Sequence, residues 1–98
     1  MYKILNKKEL NKTVVLMEID APLVAKKAEP GQFIILRTDE NGERIPLTVA
    51  DFDRKKGSVT IIFQIAGDTT FMLAGMNKGD YLADFVGPLG KKTHTDGL

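Results

Sequence analysis

Two stretches of the 98-residue chain carry residue types whose spacing could hold a ligand. In residues 44–51 (RIPLTVAD), the alternation of an extended chain puts Arg44, Pro46, Thr48 and Ala50 on one side. Ile45, Leu47 and Val49 fall on the other and suit a core. The first set offers a cation, a stiff ring and a hydroxyl in a row, and it reads as the wall of a ligand groove. The second stretch is Gly67-Asp68-Thr69-Thr70, just ahead of a helix-forming run. Free backbone N–H groups at a helix start, with hydroxyls and a glycine that permits close approach, make an anion site suited to phosphate. The same residues also read as a plain helix cap, and the Asp68 carboxylate competes with an anion. A ligand with a ring at one end and phosphates at the other fits both stretches.

Conventional catalytic sets are missing. The single histidine, His94, lies in a polar tail without pattern, so a Ser/His/Asp triad has nothing to build on. Asp39, Glu40, Glu43 and Asp53 sit singly at turns, where Asx chemistry accounts for them. No ligand spacing suggests a metal, and the absence of cysteine excludes disulfides, thiol nucleophiles and any iron–sulfur cluster held by this sequence alone. Arg54-Lys55-Lys56 and Lys91-Lys92 read as a solvated hairpin tip and a solvated tail. A net charge of +1 provides no field for nucleic acid or an anionic membrane. With no apolar run of signal-peptide or membrane-spanning length, a cytoplasmic location is expected.

The elements that must position these residues follow from alternation and turns. Tyr2 to Glu9 and Thr13 to Asp20 read as strands, the second with Val15, Met17 and Ile19 inward. Leu23 to Glu29 is a loop or helical turn, and Gln32 to Thr38 is a nearly continuous apolar strand. Asn41-Gly42 signals a hairpin through its tolerance of positive φ, with residues 44–51 as the return strand. Val59, Ile61, Phe63 and Ile65 alternate with Ser58, Thr60, Ile62 and Gln64. A helix over Phe71 to Met76, capped by Asp68 or Thr69, precedes a last strand from Tyr81 to Val86. The pattern predicts an all-β fold: a roughly six-stranded antiparallel Greek-key barrel over residues 1–90, with one short helix between the last two strands. Residues 91–98 are a tail or truncated linker.

Four segments in order then resemble the FAD-binding barrel of the ferredoxin–NADP reductase superfamily. They are Pro30-Gly31-Gln32-Phe33, Arg44-Ile45-Pro46-Leu47-Thr48, Ile62-Phe63-Gln64-Ile65-Ala66-Gly67-Asp68-Thr69-Thr70 and Gly87-Pro88-Leu89-Gly90. Within it the likeness is to dihydroorotate dehydrogenase electron-transfer subunits and to the flavoprotein subunit of NADH-dependent ferredoxin–NADP oxidoreductases, also called sulfide dehydrogenase subunits. The resemblance implies a flavin ring against Pro46, Leu47 and Thr48, with Leu47 along the ring and Thr48 at its N5 edge. It implies that Ile62, Phe63 and Gln64 run beside the ribityl and adenine side, and that Gly67, Thr69 and Thr70 hold the pyrophosphate, with Arg44 as the nearby cation. Two departures stand out. The relatives' arginine directly before the proline is Ile45 here, and the second glycine of the phosphate turn is Thr69.

What this implies is an FAD-binding module of an NAD(P)H-dependent electron-transfer flavoprotein, passing electrons between nicotinamide, flavin and iron–sulfur centres. Such proteins continue into a nucleotide-binding domain and add a [2Fe–2S] cluster, and this sequence has neither. The expected partners are therefore that C-terminal domain and an iron–sulfur flavoprotein subunit or ferredoxin, with no nucleic acid and no membrane. No turnover is expected from the chain alone. The alternative is a non-enzymatic elongation-factor or OB-like barrel that binds RNA or a protein partner.

Overall fold

The computed structural model describes residues 2–29 and 31–90. Strand β1 (Tyr2–Glu9) pairs with β2 (Val14–Asp20), and a short helix α1 (Pro22–Lys27) leads to β3 (Phe33–Arg37). Then come β4 (Ile45–Asp53), β5 (Ser58–Gln64), helix α2 (Asp68–Ala74), β6 (Tyr81–Leu82) and β7 (Asp84–Leu89). All pairings are antiparallel, in the order β6-β1-β2-β5-β4-β3-β7. Strands β3, β4 and β5 are joined by hairpins, and β2, reached through α1, lies beside β5. This is the Greek-key arrangement that the turn spacing predicts.

The barrel has seven strands among the described residues, not six. The expected last strand breaks at Ala83. Tyr81 and Leu82 pair with β1, whereas Asp84 to Leu89 pair with β3 at the opposite end of the sheet order. The break has a physical cause. A single straight strand cannot satisfy both edges, so the chain changes partner where the Ala83 N–H donates to Arg37 O at 3.0 Å.

Each strand contributes to one core through its inward positions. Ile4, Met17, Ile19, Ile34, Leu36, Val59, Ile61 and Leu82 are fully buried, with Val15, Val49, Phe63 and Phe85 nearly so. Helix α1, packed beside β5, adds Val24 and Ala25 to this core, and α2 adds Leu73. The expected inward sets of β2, β4 and β5 hold, with Ile45, Leu47 and Ile65 only half-buried, but Ser58, expected on the outer side of β5, is buried. Strand β3 is less covered than its composition suggests, because Phe33 and Ile35 are half-buried on its outer side.

The β3–β4 hairpin forms where Asn41-Gly42 predicts it, but neither residue takes a positive φ. Its tip is built from Asp39 instead, whose carbonyl accepts from Gly42 N at 3.0 Å and whose Oδ1 accepts from Asn41 N at 2.9 Å. Glycine is needed at 42 for room, since a Cβ there would lie 2.8 Å from the buried Thr38 Oγ1. Helix α2 is capped by Gly67, not by Asp68 or Thr69, and it spans Asp68–Ala74 instead of reaching Met76.

The opposed faces of β5 predict opposed responses to substitution. Ile61→Ala should lower the unfolding free energy by about 2–5 kcal/mol, because it opens a cavity in a full core. Ile62→Ala, two-fifths exposed at 42%, should change it by less than about 0.5 kcal/mol. Urea denaturation of both variants checks this, and equal losses would mean the strand register is misassigned.

Candidate functional site

Strand β4 places its residues as alternation requires. Arg44, Pro46 and Thr48 are exposed, and Ile45 and Leu47 are half-buried against the core. Leu47 therefore does not share a side with Pro46 and Thr48. The register to β3 sets Phe33 opposite Thr48 and Ile35 opposite Pro46. Beyond them on β7, Leu89 pairs with Phe33 and Val86 with Ile35. Pro46, Ile35 and Val86 thus form one row across three strands, and Thr48, Phe33 and Leu89 form the next. Val86 is 51% exposed. The result is a mostly apolar outer platform with one hydroxyl, that of Thr48. Leu82, two residues before β7, is fully buried and takes no part in this platform.

On β5, Ile62 and Gln64 point outward and Phe63 is buried in the core, so Phe63 can offer a groove only its backbone. The chain then reaches Gly67, where a Cβ would meet nothing within 4 Å. No side chain caps the first turn of α2, which leaves its leading N–H groups without intrahelical partners. Thr70 is occupied within the turn, its Oγ1 accepting from Ala66 N at 2.8 Å and donating to Gly67 O at 3.1 Å.

Thr69 joins the two stretches. Its Oγ1 donates to Glu43 Oε2 at 3.3 Å, which sets the start of α2 against the residue preceding Arg44. Arg44 itself goes the other way. Its Nη2 lies 3.6 Å from Asp84 Oδ2 on β7, an oxygen that Arg37 Nη2 already holds at 2.8 Å. Glu43, Arg37 and Asp84 escape a reading based on motifs. Strand alternation carries a signal for Glu43, because it shares a side with Ile45 and Leu47, whereas Arg37 and Asp84 become neighbours only through the β3–β7 pairing.

Two cavities lie elsewhere. One of about 440 Å³ is bordered by Glu18, Asp51, Phe52, Asp53, Arg54, Lys55, Ser58 and Thr60. Several of its polar groups are already paired: Ser58 Oγ donates to Glu18 Oε2 and Lys56 Nζ to Glu18 Oε1, both at 3.0 Å. Arg54, read as part of a solvated tip, instead donates to Ala28 O at 2.7 Å and to Lys26 O at 3.2 Å behind α1, and stacks over Phe52. The other cavity, about 250 Å³, lies between β1 and α2 beside Phe71. Neither brings the motif residues together. Among the described residues no group of three or more His, Cys, Asp or Glu side chains is arranged to hold a metal, and no helix is long and apolar enough to cross a membrane. His94 and Lys91-Lys92 lie outside the described residues.

Known proteins match this arrangement in both sequence and fold. A solved structure described as that of an NADH-dependent reduced ferredoxin–NADP oxidoreductase superposes with a TM-score of 0.94 at 39% identity, over 96% of this chain and 34% of that one. The chain belongs to the barrel domains of the ferredoxin–NADP reductase superfamily. It is 39% identical over 94 residues to a dihydroorotate dehydrogenase B electron transfer subunit homolog of Thermotoga maritima, covering 96% of this chain and 33% of the relative. It is 33% identical over 86 residues to a subunit of that name from Fusobacterium nucleatum, covering 85% of this chain and 33% of the relative. An uncharacterized Clostridium beijerinckii protein is 62% identical over 90 residues, 92% of this chain and 30% of the relative. The chain thus spans about a third of the length of these relatives. No protein-family model matches it.

The hydroxyls of Thr70 and Thr48 differ in what the fold asks of them. Thr70→Val should destabilise the chain by about 1 kcal/mol, the scale of one net hydrogen bond. Thr48→Val, on the open platform, should leave the unfolding midpoint nearly unchanged. Differential scanning fluorimetry distinguishes them, and a large loss at Thr48 would make it a structural residue.

Proposed function

We propose that the barrel is the FAD-binding module of an NAD(P)H-dependent electron-transfer flavoprotein. The observation that carries this reading is the Thr69–Glu43 hydrogen bond, which joins the first turn of α2 to the start of β4. Through it an elongated ligand can run from the β4 platform past Gln64 to the glycine turn. The residues present suit the two ends of such a ligand. Pro46, Phe33 and Ile35 offer a flat apolar surface to a ring, and the Thr48 hydroxyl offers it a polar edge contact. The Gly67 backbone leaves space for a phosphate, and the leading N–H groups of α2 are donors toward it. Thr69 can turn its hydroxyl from Glu43 to a phosphate oxygen. Thr70 serves by holding the turn in shape, and Leu47 supports the ring from beneath its strand.

Bound FAD would supply the redox chemistry, accepting a hydride from a nicotinamide and releasing electrons singly to an iron–sulfur acceptor. The barrel's own part is to bind and orient the ring and to keep water from one side of it. No side chain is required as an acid or base, and the chain alone should have no turnover. The nicotinamide site, a nucleotide-binding domain and an iron–sulfur partner subunit or ferredoxin belong to the complete cytoplasmic enzyme. Similarity to dihydroorotate dehydrogenase B electron transfer subunits about three times as long as this chain supports the reading.

Titration of the protein with FAD should perturb the flavin absorption bands and quench flavin fluorescence. Thr48→Val should weaken binding by roughly fivefold to tenfold, the scale of one net hydrogen bond, without loss of fold. If neither FAD nor FMN responds at high protein concentration, while single-stranded RNA is retarded on a gel, the OB-like alternative takes its place.

A further inference from the structure

The Asn41-Gly42 pair at the tip of the β3–β4 hairpin takes no part in the flavin groove, yet it carries a chemistry of its own. The side-chain amide of an asparagine is an electrophile. The backbone nitrogen of the next residue can reach its carbonyl carbon, most easily when that residue is an unhindered glycine. The chain has four asparagines, Asn6, Asn11, Asn41 and Asn77, and all but Asn41 are followed by lysine. Asn41 is exposed, and among the described residues its side-chain amide has no partner. By contrast, Asn6 Oδ1 accepts from Lys7 N at 3.0 Å and Asn11 Oδ1 from Thr13 N at 2.9 Å.

Packing keeps the reactive pair in place. A Cβ at Gly42 would lie 2.8 Å from Thr38 Oγ1, which is buried without a hydrogen-bond partner among the described residues. Glycine at 42 is therefore required by the interior of the hairpin, and the exposed asparagine before it stays reactive as a consequence. The turn also restrains the reaction. Gly42 N donates to Asp39 O at 3.0 Å, and Asn41 N donates to Asp39 Oδ1 at 2.9 Å. A nitrogen whose hydrogen points at Asp39 cannot attack Asn41 until the tip opens. That opening is local, because the nearest paired residues of the two strands are Leu36 and Ile45.

We propose that Asn41 is a self-modification site, converted to aspartate and isoaspartate at a rate gated by Asp39. Once the tip opens, solvent base removes the Gly42 N–H proton and the nitrogen attacks Asn41 Cγ. The Cγ–Nδ2 bond breaks, the departing nitrogen takes up a proton and leaves as ammonia, and a cyclic imide closes. Water then adds to either imide carbonyl. One opening restores the ordinary backbone as aspartate, and the other routes the backbone through the side chain as isoaspartate. Both place a new carboxylate near Asp39, Glu40 and Glu43 and lower the net charge of +1 by one. Repulsion among these groups weakens the turn further. The proposal stands apart from the flavin reading.

The test incubates the purified chain in mildly alkaline buffer and follows each asparagine by peptide mass spectrometry, beside a synthetic peptide of residues 38–45. The mass gain of amide-to-acid conversion should accumulate at Asn41 and not at Asn6, Asn11 or Asn77. It should be slower than in the peptide by about tenfold, the scale of opening one net hydrogen bond. Asp39→Ala should speed it roughly fivefold with the urea midpoint little changed, because only the tip loosens. Asp39→Asn, which keeps an acceptor at Oδ1, should stay near the unaltered rate. Conversion at Asn41 no faster than at the other three asparagines would overturn the proposal. Equal rates in the folded chain and the peptide, or an Asp39→Ala variant as slow as the unaltered chain, would overturn it as well.

Discussion

Closure of the sheet by a strand that serves two edges is the constraint on which everything else rests. A barrel this small must leave no row of backbone donors and acceptors unpaired, and its last strand cannot lie along β1 and β3 at once. The break at Ala83 resolves the conflict, giving Leu82 to β1 and Asp84 onward to β3. Arg37 holds the crossing point twice, through its carbonyl to Ala83 N and through its guanidinium to Asp84. With the last strand fixed in this way, the outer rows of β4, β3 and β7 come into register and the platform exists. Without that register Pro46, Ile35 and Val86 would be scattered apolar residues.

The start of β4 shows how one step along a strand separates two chemistries. Glu43 turns toward α2 and Arg44 toward β7. Together with Asp68, the side facing the glycine turn carries carboxylates, while the platform side carries the cation. In the proposed reading, a phosphate at that turn would therefore meet mainly backbone N–H groups. Such donors are neutral and fixed by the fold, so they tolerate nearby carboxylates better than a single mobile side chain would.

Much of the fold was legible in the sequence because it depends on local alternation. The inward sets Val15, Met17, Ile19 and Val59, Ile61, Phe63 follow from a period of two. The two sides of residues 44–51 follow in the same way. The strand break at Ala83 was not legible, since Tyr81 to Val86 reads as continuous and the need to change partners arises only when the sheet closes. The positive φ expected at Asn41-Gly42 failed for a related reason. An Asp39-centred turn competes locally, and the demand for glycine comes from Thr38 packed beneath it. For the candidate site, the exposed side of β4 was legible from alternation, while the contacts made by Arg37 and Asp84 were not. Glu43 looked like an ordinary turn carboxylate, and Arg37 and Asp84 are brought together by pairing between strands far apart in sequence.

The proposed flavin groove joins the outer face of β4 to the first turn of α2. Backbone amide NMR of the isotope-labelled chain during FAD addition tests it most directly. Saturable shifts should concentrate at Thr48, Gln64, Gly67 and Thr69, with the residues around Asp53 and Ser58 unmoved. Shifts centred on the cavity beside Arg54 or on the one beside Phe71, with β4 and the glycine turn silent, would contradict it.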